Sequence, residues 1–231
     1  MTASRALAPA TGDFAAAALW VQPFTGYLAL LALASPPTAA NWAHADPILR
    51  LVPAALAPLL VVLAGAALGI AAWRGARPPA AVVRRAGGHA LAGALFATLA
   101  VGGLRLVVGP VLPSFIPPEE SADPGACLSL CAGYAEELVC RFLVLAAAWH
   151  VLTTRSVPRV PAIAIAALAS GLVFAVLHAL GEPEPSAAYL VTRLVIPGTL
   201  FAVAALVVHP AFVVVGHCTA HLFIPLLFVA P

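Results

Sequence analysis

The sequence predicts an all-α membrane protein, a polytopic bundle of about seven transmembrane helices, and three observations carry that prediction. Of its 231 residues, 63% are hydrophobic and only 9% are charged, whereas an ordinary soluble domain is about a quarter charged. Mean hydropathy is +1.04, so water is not the main solvent of this chain. Seven apolar windows of the length needed to cross a bilayer, about 20 residues, succeed one another between Pro- and Gly-bearing gaps. They run approximately 14–35, 49–73, 86–108, 126–152, 161–180, 187–208 and 210–230. Helix bundles are one of two ways to satisfy a backbone in hydrocarbon. No stretch is both polar and long enough to fold separately, so residues 1–231 read as a single integral membrane domain.

The first window, from Phe14, is long enough to span. It therefore reads as a helix and not as a cleaved signal peptide, although Ala32-Leu33-Ala34 resembles a processing site and Arg5 supplies a minimal basic start. The second window carries Gly65 and Gly69, a GxxxG spacing that lets backbones approach closely; alanines do the same in the third and fifth. Arg50 and Arg105 lie close enough to window ends to snorkel, and His44, His89, His150 and His209 fall in loops or near ends, where interfacial water accounts for them. Four cysteines, Cys127, Cys131, Cys140 and Cys218, lie in apolar segments without a CxxC pair and read as small core residues.

Charge sets orientation. Arg74, Arg77, Arg84 and Arg85 follow the second window and Arg155 and Arg159 follow the fourth, whereas Asp46, then Glu119, Glu120 and Asp123, then Glu182 and Glu184 occupy the alternate loops. Short basic loops stay cytoplasmic, which predicts an N-terminus inside, a C-terminus outside and a multi-pass protein of the bacterial inner membrane. All eleven basic residues are Arg, read as codon bias in a GC-rich genome, and they never form a continuous patch. Nucleic acid is thus excluded as a partner, and membrane lipid is the partner implied.

The fourth window places Glu136, Glu137 and Arg141 near the middle of a membrane helix. Each central charge costs about 2.5–3.5 kcal/mol, so three uncompensated ones would cost on the order of 7–10 kcal/mol. Glu137 and Arg141, four apart, lie about 40° from each other and can form an ion pair. Glu136 is turned about 100° from Glu137, toward a different neighbour, and is the carboxylate left for chemistry. The fifth window puts Phe174 and His178 on one face, and the last does so with His217 and His221. The latter spacing suits a shared water, a metal ion or paired hydrogen bonds. A penalty incurred in three separate spans is most simply explained by a common site. By these boundaries His178 lies near the outer end of its helix and His217 nearer the cytoplasmic end of its own, so a common site requires a shift that levels them.

These residues resemble the CAAX-protease and bacteriocin-processing family of intramembrane proteases, also called the Abi family. Glu136-Glu137-Leu138-Val139-Cys140-Arg141 matches its EExxxR motif and Phe174-Ala175-Val176-Leu177-His178 its FxxxH motif. His217-Cys218-Thr219-Ala220-His221 matches its third motif, with His221 in place of the usual Asn, and Arg193 with Gly198 looks like its weaker Arg and Gly pattern. The resemblance spans residues 126–225, the expected catalytic core. The short bundle and Cys-rich lead-in are also similar to the sorting enzymes called myxosortases.

The resemblance implies a glutamic-type endopeptidase acting on a membrane-anchored or lipidated protein. Its implied roles are Glu136 as the base that takes a proton from water, His178 as the group that orients that water, and His217 and His221 as oxyanion stabilisers. Glu137, Arg141, Phe174 and Arg193 are supporting residues. One neutral imidazole donates one hydrogen bond, so His221 can stand in for Asn. No HExxH occurs, so no metal or other cofactor is expected; the alternative is a divalent ion such as zinc held by Glu136, His178, His217 and His221. A non-enzymatic reading, a transporter or immunity factor using the same polar cluster, is the rival.

Overall fold

The computed structural model describes residues 11–38, 42, 45–53, 56–108, 125–181 and 186–223. Seven helical rods make up nearly all of this, with no strand among the described residues. The first rod is α1 (Thr11–Trp20) and α2 (Gln22–Ala34), divided at Val21. The second is α3 (Ala57–Ala71) with a π turn at Ala72–Ala76, and the third is α4 (Ala80–Val108). The fourth is α5 (Gly125–Glu137), a π segment at Leu138–Leu145 and α6 (Ala146–Thr154). The fifth is α7 (Arg159–Gly181). The sixth is α8 (Ala187–Tyr189), a π segment at Leu190–Val195 and α9 (Ile196–Val207), and the seventh is α10 (Pro210–Phe223). Five rods are long and apolar enough to cross a membrane. Helix α10 is apolar but is described over only 14 residues, and the fourth rod carries the charges Glu136, Glu137 and Arg141.

Two boundaries differ from the sequence expectation. Helix α4 starts at Ala80, because nothing between Pro79 and Gly87 breaks a helix and the Pro79 carbonyl accepts from the Val82 and Val83 N–H groups. Arg84 and Arg85 therefore ride on the first turns of α4, and only Arg77, at φ 35°, sits in the turn before it. The second rod starts at Ala57 and not at 49: Leu49–Leu51 is a separate 3-10 turn, followed by Pro53 and Pro58. His44, Glu119, Glu120, Asp123, Glu182 and Glu184 lie outside the described residues, as do the side chains of Arg105 and Arg193.

Small residues set the helix spacings. Gly65 and Gly69 face the first rod, where they admit side chains and not a second backbone: a Cβ on Gly65 would strike the Tyr134 hydroxyl and one on Gly69 the Gln22 amide. The Tyr134 and Thr25 hydroxyls meet at 2.6 Å in that gap, and Gln22 Nε2 donates to the Gly65 carbonyl at 3.1 Å. The tightest backbone approach joins α4 to α10, where a Cβ on Gly93 would run into the Phe212 carbonyl. Helix α7 meets α9 through Gly171 and Gly198.

The turn into α10 is held by polar groups. His209 is buried, accepts the Ala211 N–H at Nδ1 (3.1 Å), turns Nε2 toward Asp13 Oδ1 (3.4 Å) and stacks on His89 at 4.6 Å. His89 lies nine residues into α4, so α10 begins roughly 14 Å along that helix and not at its end. This raised start decides where His217 and His221 sit.

Two outcomes are expected. Gly93→Ala should cost about 1–3 kcal/mol through overpacking against backbone, whereas Gly88→Ala, inside the same helix with nothing within 4 Å of its Cβ, should hold or raise the melting temperature in detergent. Burial, reinforced by His89 against the opposing pull of Asp13, holds the His209 imidazole below its ordinary 6.5. The unfolded chain then takes up that proton more readily, so stability present above about pH 6.5 is lost as pH falls. Thermal melts between neutral and acid pH should show a shallower slope for His209→Asn, which keeps the acceptor and does not titrate.

Candidate active site

Four elements build the site: α5, whose last turn carries Glu136 and Glu137; the π segment, which carries Arg141; α7, with Phe174 and His178; and α10, with His217 and His221. Directly after Glu137 the helix widens into the π segment, a distortion common at functional positions. Within it the Cys140 carbonyl accepts a hydrogen bond from the buried Ser170 hydroxyl of α7 at 2.9 Å.

Glu136 sits at the centre with 2% exposure, presenting one carboxylate oxygen to each side. Oε1 lies 3.5 Å from His178 Nε2 and Oε2 lies 3.5 Å from His217 Nε2. Glu137 and Arg141, both fully buried, face each other at 3.5 Å (Oε1 to Nε), the ion pair expected from their spacing. Paired with a guanidinium, Glu137 is an acceptor, so His217 donates its Nδ1 proton to Glu137 Oε1 at 2.7 Å. That leaves His217 Nε2 to face Glu136 and, at 3.2 Å, His221 Nε2. One proton is shared in this imidazole pair.

His178 is fixed through its other nitrogen. Nδ1 donates to the Phe174 carbonyl one turn earlier at 2.8 Å, and the ring packs on that of Phe174 at 4.3 Å. The Arg141 guanidinium lies between two aromatic rings, Phe174 at 5.9 Å and Phe201 at 5.8 Å. Phe201 also packs on His217 at 5.2 Å. Such contacts stabilise a desolvated cation. Gly133, one turn before Glu137, leaves room for the His221 ring, and any Cβ there would push on it.

The six residues Glu136, Glu137, Arg141, His178, His217 and His221 are thus brought together, and Phe174 with them. The expected mismatch in depth between His178 and His217 does not arise, because α10 starts inside the bundle. Sequence reasoning passed over two neighbours. Asp46, read only as a loop charge, places Oδ1 3.4 Å from His178 Nε2. Phe201 is an apolar residue in an apolar window, with nothing in its surroundings to mark it.

Two triads have donor atoms close enough to hold a cation, Glu136 with His217 and His221, and Asp46 with Glu136 and His178. Their chemistry fits a divalent ion: each of His178 and His217 has its Nδ1 tied to an oxygen and its Nε2 turned inward, the usual outer support of a metal-ligating imidazole. An apolar cleft of about 460 Å³ runs between α4, α9 and α10, lined by Gly93, Phe96, Phe201 and Gly216, and reaches His217.

Residues 122–228 match the family model described as Rce1-like, type II CAAX prenyl endopeptidase. No curated protein and no solved structure matches the chain. All three motifs fall inside the matched segment, and its membrane helices gather their side chains around one buried carboxylate. Over residues 122–228 the chain is thus similar to the type II CAAX prenyl endopeptidases that this model describes, and the match supports the CAAX-protease and bacteriocin-processing family.

Proposed function

We propose that this protein is a glutamic-type intramembrane endopeptidase in which Glu136 activates the hydrolytic water. The observation that carries the reading is the buried Glu136 carboxylate with an imidazole 3.5 Å from each of its oxygens. A water beside Glu136 gives its proton to the carboxylate as its oxygen bonds to the scissile carbonyl carbon. His178 orients that water. The N–H shared by His217 and His221 turns to the developing oxyanion. The proton then passes from Glu136 to the amide nitrogen, the C–N bond breaks and the carbonyl re-forms. Glu137 and Arg141 fix His217 through the Nδ1 contact, and Phe174 supports both His178 and Arg141. Arg193 belongs to this set by motif alone.

In this reading residues 1–231 form a single membrane domain whose catalytic core is 126–225. The substrate is a membrane-anchored or lipidated protein that reaches His217 from the bilayer; the apolar cleft beside that residue supports this route. Removal of C-terminal sorting tails, the myxosortase-like activity, is one such reaction. The chain sits in the bacterial inner membrane with its N-terminus in the cytoplasm, supported by the arginines at 74–85 and 155–159. A divalent ion, if bound, would be held by Glu136 with His217 and His221, or by Glu136 with His178 and Asp46, and would supply Lewis-acid activation of water. Our reading assigns that activation to Glu136 alone.

Glu136→Gln should lower cleavage by at least about 100-fold with the melting temperature preserved. Mass spectrometry of membrane-protein termini, comparing cells that carry the native protein with cells that carry Glu136→Gln, should reveal one class of uncut ends in the latter; identical termini would count against proteolysis and favour a transporter or immunity role. Elemental analysis of purified protein should find no stoichiometric metal, and activity should persist in chelator; loss of activity on chelation with recovery on adding zinc would overturn the metal-free assignment. Gly133→Ala should displace the His221 ring and slow turnover by up to about 100-fold, read on the same termini.

A further inference from the structure

We propose that Asp46 is a positioning residue of this site, holding His178 Nε2 as a hydrogen-bond donor beside Glu136. The inference rests on the hydrolytic reading above and extends the site beyond the matched segment, to the loop between the first and second rods. His178 Nδ1 is already committed as a donor, since the Phe174 carbonyl it meets at 2.8 Å can only accept. Nε2 is then the one nitrogen left for chemistry, and it faces two carboxylate oxygens, Asp46 Oδ1 at 3.4 Å and Glu136 Oε1 at 3.5 Å. A bare lone pair between two carboxylates is repulsive, whereas an N–H there serves both. Asp46 gives that N–H a second acceptor and fixes the ring between the two carboxylates, so that Glu136 keeps acceptor capacity for water.

Asp46 is built to do this. Its Oδ1 also accepts the Ile48 N–H at 3.0 Å, and its carbonyl accepts the Leu49 N–H at 2.9 Å, a local turn that fixes the side chain. Arg50 Nε donates to the Ala45 carbonyl at 2.9 Å and ties the segment together. Ala45, Ile48 and Leu49 are buried in a cluster with Leu128 and Tyr134 of α5 and with Val214 and Cys218 of α10. The segment is thereby packed against α5 and α7, the helices that carry Glu136 and His178. Asp46 is itself mostly screened from solvent, with a side-chain exposure of 25%.

A merely structural role would be to pin the loop to α7, and Asp46→Asn separates the two, because its amide oxygen can still accept the Ile48 N–H but carries no charge. The full-length protein in proteoliposomes is assayed with the membrane substrate identified from the Glu136→Gln termini. Asp46→Asn should lower kcat at least tenfold with KM within about twofold and an unchanged melting temperature; Asp46→Glu should recover a substantial part of kcat. Independently of any substrate, nitrogen-15 histidine spectra, assigned by loss of signal in His178→Gln, should show a hydrogen-bearing Nε2 in the native protein that becomes bare in Asp46→Asn. A bare Nε2 in the native protein, or native turnover by Asp46→Asn, overturns the proposal. If Glu136→Gln leaves all termini unchanged, the proteolytic reading fails on its own, and the histidine spectrum still decides whether Asp46 holds His178.

Discussion

A buried carboxylate is tolerable only among polar neighbours, and Glu136 is the group around which this bundle gathers them. One imidazole comes from α7 and another from α10, because the two oxygens point in opposite directions and no single neighbouring helix can reach both. Each imidazole needs its second nitrogen anchored, which brings in the Phe174 carbonyl on one side and Glu137 on the other. Glu137 in turn needs a counter-charge, and Arg141 provides it from one turn away. The requirement thus propagates outward from Glu136 to the Glu137–Arg141 pair.

Packing follows from the same constraint. For the imidazoles of α10 to reach a carboxylate at the end of α5, α10 must enter the bundle partway along α4. The polar turn at His209, with Asp13 and His89, makes that entry possible without leaving the first N–H groups of the helix exposed to an apolar core. Glycines at 93, 133 and 171 then permit the close approaches on which the side-chain distances depend. The π segment after Glu137 is a local departure from α-helical regularity at the place where the polar groups converge.

The arrangement also divides the site in two. On one side Glu136 meets the His217 and His221 pair beside an apolar cleft; on the other it meets His178, which Asp46 also faces. The N-terminal half, which lies outside the matched family segment, is more than a generic scaffold: it brings Asp46 to His178.

Much of this was legible in the linear sequence. Long apolar windows determined the rods, because a backbone in hydrocarbon has few alternatives, and the expense of charge in lipid singled out Glu136, Glu137, Arg141, His178, His217 and His221. Helical periodicity alone paired Glu137 with Arg141 and turned Glu136 away from them. Tertiary structure decided the rest: the entry depth of α10, which levels His217 with His178; the rings of Phe174 and Phe201 on either side of Arg141; and the arrival of Asp46. These depend on how far one rod is shifted against another and on where an irregular loop folds back, and neither is encoded in a local period. A loop residue brought onto His178 from 132 positions earlier in the chain leaves no spacing to read, so only the packed bundle could reveal it.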